Sequence, residues 1–449
     1  MLDIHSGELM DLEAARAYPF LGRGSAPPLA ISRTEGCFLF SSDGRRILDA
    51  AGGAIVANIG YAREEVAEVA RSALLEATYV VPPFATESRV RLVSRLRTSW
   101  LPEGLTRTVF ASGGSDAVDL ALRIARQHFV SRGEAARWKV IGRDLSYHGT
   151  TLATLAVGGH GKRRSGFEPL LTPHPKAPAC YPLRCPMCRG CGGCTLACAD
   201  AFEEIIAREG AETIAAVIAE PVVGSTAGAL VPPPGYWPRL AAICRRYGIL
   251  LIADEVMTGF GRTGRRFAVE HWDVTPDLLV AGKGLSGGYA PIGAVFATEA
   301  VVEPIAERGD DVMFYTYSAH PASCAIADKV LEILEREALV EKAAVLGLQL
   351  ADRLGALRSH THVAETRVLG LLQAVELVRD RKTLEAFPPQ SHVCARVVMA
   401  GLRRGVFFYP GGGAPAPDVL CMGPAFIIEP AEIDFMVQVL EKAIDDALV

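Results

Sequence analysis

No stretch of this sequence approaches the roughly 18 uninterrupted apolar residues that a bilayer-spanning helix needs. The first twenty residues, MLDIHSGELMDLEAARAYPF, have no basic flank followed by an apolar run, so they do not read as a secretory leader. With neither a span nor a leader, a cytoplasmic protein is the expectation. Lysine is scarce beside arginine, which we read as a genomic composition bias without functional weight. The net charge is only −5, so the chain has no basic footprint for nucleic acid. Internal repeats are missing as well. What is present is an ordinary globular composition: half of the 449 residues are hydrophobic and 22% are charged, enough for a large core.

The middle of the chain alternates short apolar runs with helical patterns. Residues 108–111, 139–141, 214–219, 249–253 and 278–281 read as strands, most of them wholly apolar. Between them, DLALRIARQHF at 119–129 has the period of an amphipathic helix, and 234–247 reads as a helix ended by Gly248. Strands alternating with helices predict an α/β domain with a mainly parallel central sheet covered on both faces. The C-terminal third changes character. It reads as helices near 321–337 and 392–404, a strand at 371–378 and a last helix from about 432, hence a smaller α+β domain. EGCFLFSSDGRRILDA carries a hairpin signal around Ser42-Asp43-Gly44, and the glycine- and proline-rich 410–417 reads as a loop. The expected division is an N-terminal segment 1–60 packing with the small domain, a large domain 61–325 and a small domain 326–449.

Open parallel sheets bind ligands beyond the carboxyl ends of their strands. Three strands here end on chemistry: Glu220 after IAAVIA, Asp254 after ILLIA, and Gly282-Lys283 after LLVA. A lysine held among apolar neighbours loses its proton more easily, and a neutral amine forms Schiff bases. By itself Lys283 would read as a surface turn residue. Asp254, at the end of an apolar strand, needs a partner. A protonated pyridine nitrogen would serve, and so would a structural salt bridge with Arg262. SGGSDA at 112–117 opens a helix, and a helix N-terminus after glycines offers free N–H groups to a phosphate, with the Ser115 hydroxyl beside them.

Taken with their order, these segments resemble the class III aminotransferases, a fold-type I family that uses pyridoxal 5'-phosphate (PLP). The resemblance runs from about residue 30 to the C-terminus. It rests on LLIADEVMTGFGRTG at 250–264 and AGKGLSGGYAPIGA at 281–294, supported by FASGGSDAVDLALRIAR, YHGTT at 147–151, AEPVVG at 219–224 and YTYSAHPASCA at 315–325. It implies that Lys283 carries the cofactor as a Schiff base and shuttles the proton, and that Asp254 binds the pyridine nitrogen. It implies that Gly114 and Ser115 cradle the phosphate, and that Tyr147 stacks on one ring face with Val256 against the other. His148 and Gly149 complete that wall, Glu220 sits at the substrate mouth, and Met257 lies near the ring hydroxyl. Thr316 reaches the phosphate in the neighbouring subunit, so a homodimer or larger assembly is implied. The activity implied is ping-pong transfer of an amino group between a primary amine, amino sugar or amino acid and a keto or aldehyde acceptor, with aminoglycoside-type secondary metabolism as one setting.

Departures from the family pattern are Met257, where many members have Gln, and Val118, where Asn is usual. In VFFYPGGGAPAPDVLCMGPAF at 406–426, Tyr409 stands roughly where a carboxylate-gripping arginine sits in amine:pyruvate members. That predicts weak use of dicarboxylate donors and better use of uncharged amines, unless Arg262 or another arginine takes a carboxylate. Two other readings remain. The same lysine and aspartate serve PLP-dependent epimerisation, aminomutation or decarboxylation. The chain could also be a non-catalytic metal-responsive protein built around its cysteines.

Of eleven cysteines, six fall between Cys180 and Cys198, in a cysteine-rich insertion at about 176–198. Cys185, Cys188, Cys191 and Cys194 recur with two-residue spacers, a pattern that suits a structural zinc. The run from Cys188 to Cys198 also approaches the spacing of iron–sulfur motifs. Free thiols or disulfides are the plainer alternatives. The other five cysteines sit in apolar, core-like contexts.

Overall fold

A computed structural model of the chain describes residues 29–188 and 193–448. The part of the expected N-terminal segment before residue 29 lies outside them, as does Cys191. Among the described residues the centre is a seven-stranded sheet. Its order is Leu105–Ala111, Gly293–Thr298, Leu278–Ala281, Leu250–Asp254, Ile214–Ala219, Lys139–Arg143 and Lys176–Ala177. From Leu278–Ala281 to the far edge all neighbours are parallel. Ile214–Ala219, Leu250–Asp254 and Leu278–Ala281 are buried at every position, as strands covered on both faces must be. The mainly parallel α/β architecture is as expected, with a large and a smaller domain.

One strand was not anticipated. Gly293–Thr298 inserts antiparallel between Leu105–Ala111 and Leu278–Ala281. Its sequence, GAVFAT, is short and small, and it lies at the end of the AGKGLSGGYAPIGA string, where the motif outweighs any periodicity. Helix Tyr236–Tyr247 ends where it should. Gly248 has φ 60°, and its N–H returns to the carbonyls of the last turn.

Two smaller sheets flank the centre. Ile31–Glu35, Phe38–Ser41 and Arg46–Asp49 form an antiparallel meander, and Val406–Phe407 adds to it in parallel. The C-terminal sheet has the order Val363–Leu369, Leu372–Leu377, Ala416–Met422, Tyr409–Gly413. The last of these corrects the expected loop at 410–417. Tyr409–Gly413 is an edge strand, antiparallel to Ala416–Met422. A proline is tolerated at an edge because no ladder hydrogen bond needs its missing N–H. Glycine suits the position because a Cβ at Gly411 would meet the Ser225 carbonyl oxygen at 2.6 Å. Backbone pairing, which composition does not reveal, made a strand of it. A helix at Leu339–Gly355 also follows the expected Pro321–Arg336 helix. No helix among the described residues is long and apolar enough to cross a membrane.

Candidate active site

The carboxyl ends of the three buried strands open into one cavity of about 170 Å³. Its floor holds Glu220, Asp254 and Lys283; Gly114 and Ser115 close one side, Tyr147, His148 and Gly149 another, and Val256 and Met257 a third. Val222 and Ser225 line it as well. Chain segments more than a hundred residues apart thus meet here because parallel strands end on the same edge of the sheet.

Lys283 follows its strand on a turn with φ 38°, in the left-handed region that ordinary residues avoid. Asn58 holds that turn: its side-chain amide donates to the Gly284 carbonyl at 2.9 Å. Burial pushes the Lys283 ammonium down to about 8, against the opposing pull of the Asp254 and Glu220 carboxylates, and the Arg262 and Arg163 guanidiniums add to the fall. A lysine so placed is largely convertible to the neutral nucleophile at mildly alkaline pH.

Asp254 does not pair with Arg262. One of its carboxylate oxygens lies 2.7 Å from His148 Nδ1, and the other accepts from the Val256 N–H at 3.1 Å. Arg262 instead donates to the carbonyls of Leu371, Pro424 and Ala57. His148 is 3% exposed, and its Nε2 has no hydrogen-bond partner among the described residues. A buried ring nitrogen left so implies a group that belongs in the cavity. Glu220 accepts from the Tyr147 and Gly224 N–H groups at 3.4 and 3.2 Å, and burial raises its pKa.

The helix Gly114–Ser131 begins at the cavity, and no side chain caps its first turn. Its free N–H groups and positive dipole end therefore face the space. Ser115 Oγ accepts from the Thr150 N–H at 3.1 Å, and a Cβ at Gly114 would meet Val256 Cγ1 at 2.7 Å. These residues fit PLP: an anion cradle, an apolar wall, a carboxylate for a ring nitrogen and an amine of depressed pKa. Thr316 is not in this cavity. It lies exposed on a turn, where its carbonyl accepts from the Tyr79 hydroxyl at 3.0 Å.

Sequence reasoning overlooked Asn58, Arg163 and Ser225. Asn58 sits in VANIG and Ser225 in GSTAG, neither of which carries a signal. Arg163 lay in a basic triplet, KRR, that reads as solvated surface. Its guanidinium is 4.0 Å over the Tyr147 ring, with Nη2 3.5 Å from Ser225 Oγ.

The expected four-thiol metal set does not assemble among the described residues, where no group of three or more His, Cys, Asp or Glu is arranged to hold an ion. Cys188 Sγ lies 4.0 Å from Cys194 Sγ, and hydrogen bonds from Thr195 bring the Cys188 thiol down to about 7. Cys180, Cys185 and Cys198 are buried free thiols. The segment has another anchor. Tyr181 and Arg184 both bond to the fully buried Glu376 of the C-terminal sheet, Arg184 Nε at 2.8 Å, and Arg367 completes the cluster.

The comparisons agree with this geometry. The model of the family described as aminotransferase class-III matches residues 21–444. An uncharacterized aminotransferase of Bacillus subtilis, YodT, is 32% identical over 446 residues, covering 98% of each chain. The putrescine–pyruvate aminotransferase of Pseudomonas aeruginosa is 33% identical over 426 residues, 92% of this chain and 90% of that one. Among solved structures, an (S)-enantioselective omega-transaminase from Thermomicrobium roseum superposes with a TM-score of 0.88 at 36% identity, covering 99% of this chain and 96% of that one.

Proposed function

This chain belongs to the class III aminotransferases, and on that premise we propose that it moves the amino group of a primary amine to a keto or aldehyde acceptor, with Lys283 as the residue that holds the cofactor and carries the proton. The observation behind this reading is one cavity in which Asp254, paired with His148, faces a lysine whose ammonium is destabilised by burial. PLP is the cofactor that the family implies, and when bound it supplies an electron sink for the carbanion left by proton loss at the substrate carbon. Asp254 is the carboxylate that would meet a pyridine nitrogen. His148 orients that carboxylate through Nδ1. The first turn of Gly114–Ser131 would hold the phosphate, and Tyr147 and Val256 would wall the ring and exclude water. Gly149 allows close approach beside Ser115, Met257 would lie beside the ring, and Glu220 would border the substrate mouth.

We place the neighbouring subunit over the turn that carries Thr316. Met313 is 77% and Tyr317 65% exposed there, with Phe314 and Tyr79 beside them. An exposed apolar group of this kind suits a second copy of the chain, whose site Thr316 would then complete. A cytoplasmic setting fits the free state of every described cysteine.

Borohydride reduction of the PLP-loaded protein, followed by peptide mapping, tests the central role. The label belongs on the peptide carrying Lys283, and an adduct on another lysine, or on none, refutes the reading. A donor panel of uncharged amines, diamines, amino sugars and amino acids then sets the range, secondary-metabolite amino sugars included. Amino-group transfer to the acceptor separates transamination from epimerisation, aminomutation and decarboxylation, which leave the acceptor unaminated.

A further inference from the structure

We propose that Arg163, from the helical turn after YHGTT, is the residue that grips the carboxylate of the 2-oxo acid acceptor. This rests on the transaminase reading and names the residue that selects the acceptor at that site.

Arg163 belongs to the short helical turn Gly161–Arg164, and its placement is locked from both sides. The Arg163 N–H donates to His160 Nδ1 at 3.3 Å, so the ring proton sits on Nε2, which donates to the Gly412 carbonyl at 3.2 Å. Burial keeps that imidazole neutral by lowering its pKa. The Gly412 N–H in turn donates to the Ser225 carbonyl at 2.7 Å. His160, the edge strand Tyr409–Gly413 and Ser225 therefore form one wall, and Arg163 leans from it across Tyr147.

The neighbouring arginines are all engaged. Arg164 donates to the carbonyls of Leu155, Ala156 and Gly158, Arg184 holds Glu376, and Arg143 and Arg262 bond to backbone carbonyls. Arg163 differs. Among the described residues it has no carboxylate within 4.0 Å, and its contacts are the Tyr147 ring and hydroxyl and the Ser225 hydroxyl. Both Tyr147 and Ser225 line the cavity that holds Lys283. A half-buried guanidinium supported on an aromatic face, with neutral partners only, keeps its forked donors for a bidentate anion. The floor carboxylates have their own hydrogen-bond partners, Asp254 in His148 and Glu220 in backbone N–H groups, and neither reaches Arg163. A ligand carboxylate at the rim would meet this guanidinium.

The test uses the PLP-loaded enzyme with one uncharged amine donor and two acceptors of equal chain length, pyruvate and propanal. In Arg163→Met the ratio of kcat/KM for pyruvate to that for propanal should fall at least about tenfold, the loss of one charged hydrogen-bonded contact, with the change in the KM for pyruvate. Arg163→Lys, which keeps the charge without the fork, should fall less. Calorimetric binding of propionate, an unreactive carboxylate, should weaken in parallel. A ratio within twofold of wild type, or undiminished propionate binding, overturns the proposal. If Arg163→Met does not fold, the same two measurements on Arg163→Lys decide. A wild-type protein that aminates neither acceptor defeats the transaminase reading itself and is seen before any variant is made.

Discussion

The floor and the rim of the cavity are built differently. Glu220, Asp254 and Lys283 stand at the ends of strands buried at every position. Their spacing is imposed by the ladder of a parallel sheet, and little can shift without breaking it. The rim is assembled from a four-residue helical turn, a serine in an irregular segment and a glycine-rich edge strand, tied together by backbone hydrogen bonds. A rigid floor suits chemistry that is the same for every substrate. A rim of short irregular pieces can change its side chains without disturbing the sheet, which suits it to the selective role proposed for Arg163. The contrast predicts that floor variants lose the reaction for all substrates alike, whereas rim variants redistribute activity among them.

The largest effect should come from Lys283→Ala. Losing the proton carrier should lower transamination at least about 10³-fold with every donor, and no borohydride-stable adduct should form. Steady-state assays of two unrelated donors check this; a loss confined to one of them breaks the contrast. Glu376→Gln tests whether the cysteine-rich segment is held from the small domain. Removing the charge leaves Arg184 without a carboxylate, while Arg367 keeps Glu365, and urea unfolding should show a loss of about 3 kcal/mol, with substrate preference intact.

Asp254→Asn comes next. An amide no longer favours a protonated ring nitrogen, and the rate should fall roughly 100-fold, the scale of one charge-assisted hydrogen bond, equally for pyruvate and propanal. The smallest effect is one of pH. Attachment of PLP to the cofactor-free protein requires the neutral Lys283 amine, whose proton leaves near pH 8 and not near 10.5. Below that pH the attachment rate should drop about tenfold per unit, and above it the rate should level off, measured by stopped-flow absorbance. A midpoint above 10 would mean that the cavity does not desolvate the lysine.

Much of this was legible before any coordinates. The wholly apolar strands announced themselves, and each runs into a charged residue at or just past its end, so Glu220, Asp254 and Lys283 could be assigned to one sheet edge from order alone. The helix start at Gly114 was legible from a glycine pair before an amphipathic run, but its phosphate role was not, since glycine-rich turns before helices are common. The edge strand Tyr409–Gly413 was not, since glycine and proline signal a loop and only the partner strand Ala416–Met422 makes pairing favourable. The zinc expectation came from spacing and from a segment poor in large apolar residues; the structure anchors that segment through Tyr181 and Arg184 on Glu376, which spacing does not reveal.

The sequence by itself determined the candidates for the site: a lysine and two carboxylates at strand ends and a glycine turn before a helix, each marked by a local pattern, because strand and helix periodicity is local physics. The tertiary structure alone decided the partners. That His148 takes Asp254 while Arg262 turns to backbone carbonyls, that Asn58 holds the Lys283 turn, and that Arg163 leans on Tyr147 beside Ser225 are contacts between segments far apart in the chain. Such contacts depend on how elements pack against one another, and nothing within a short window of sequence encodes that packing.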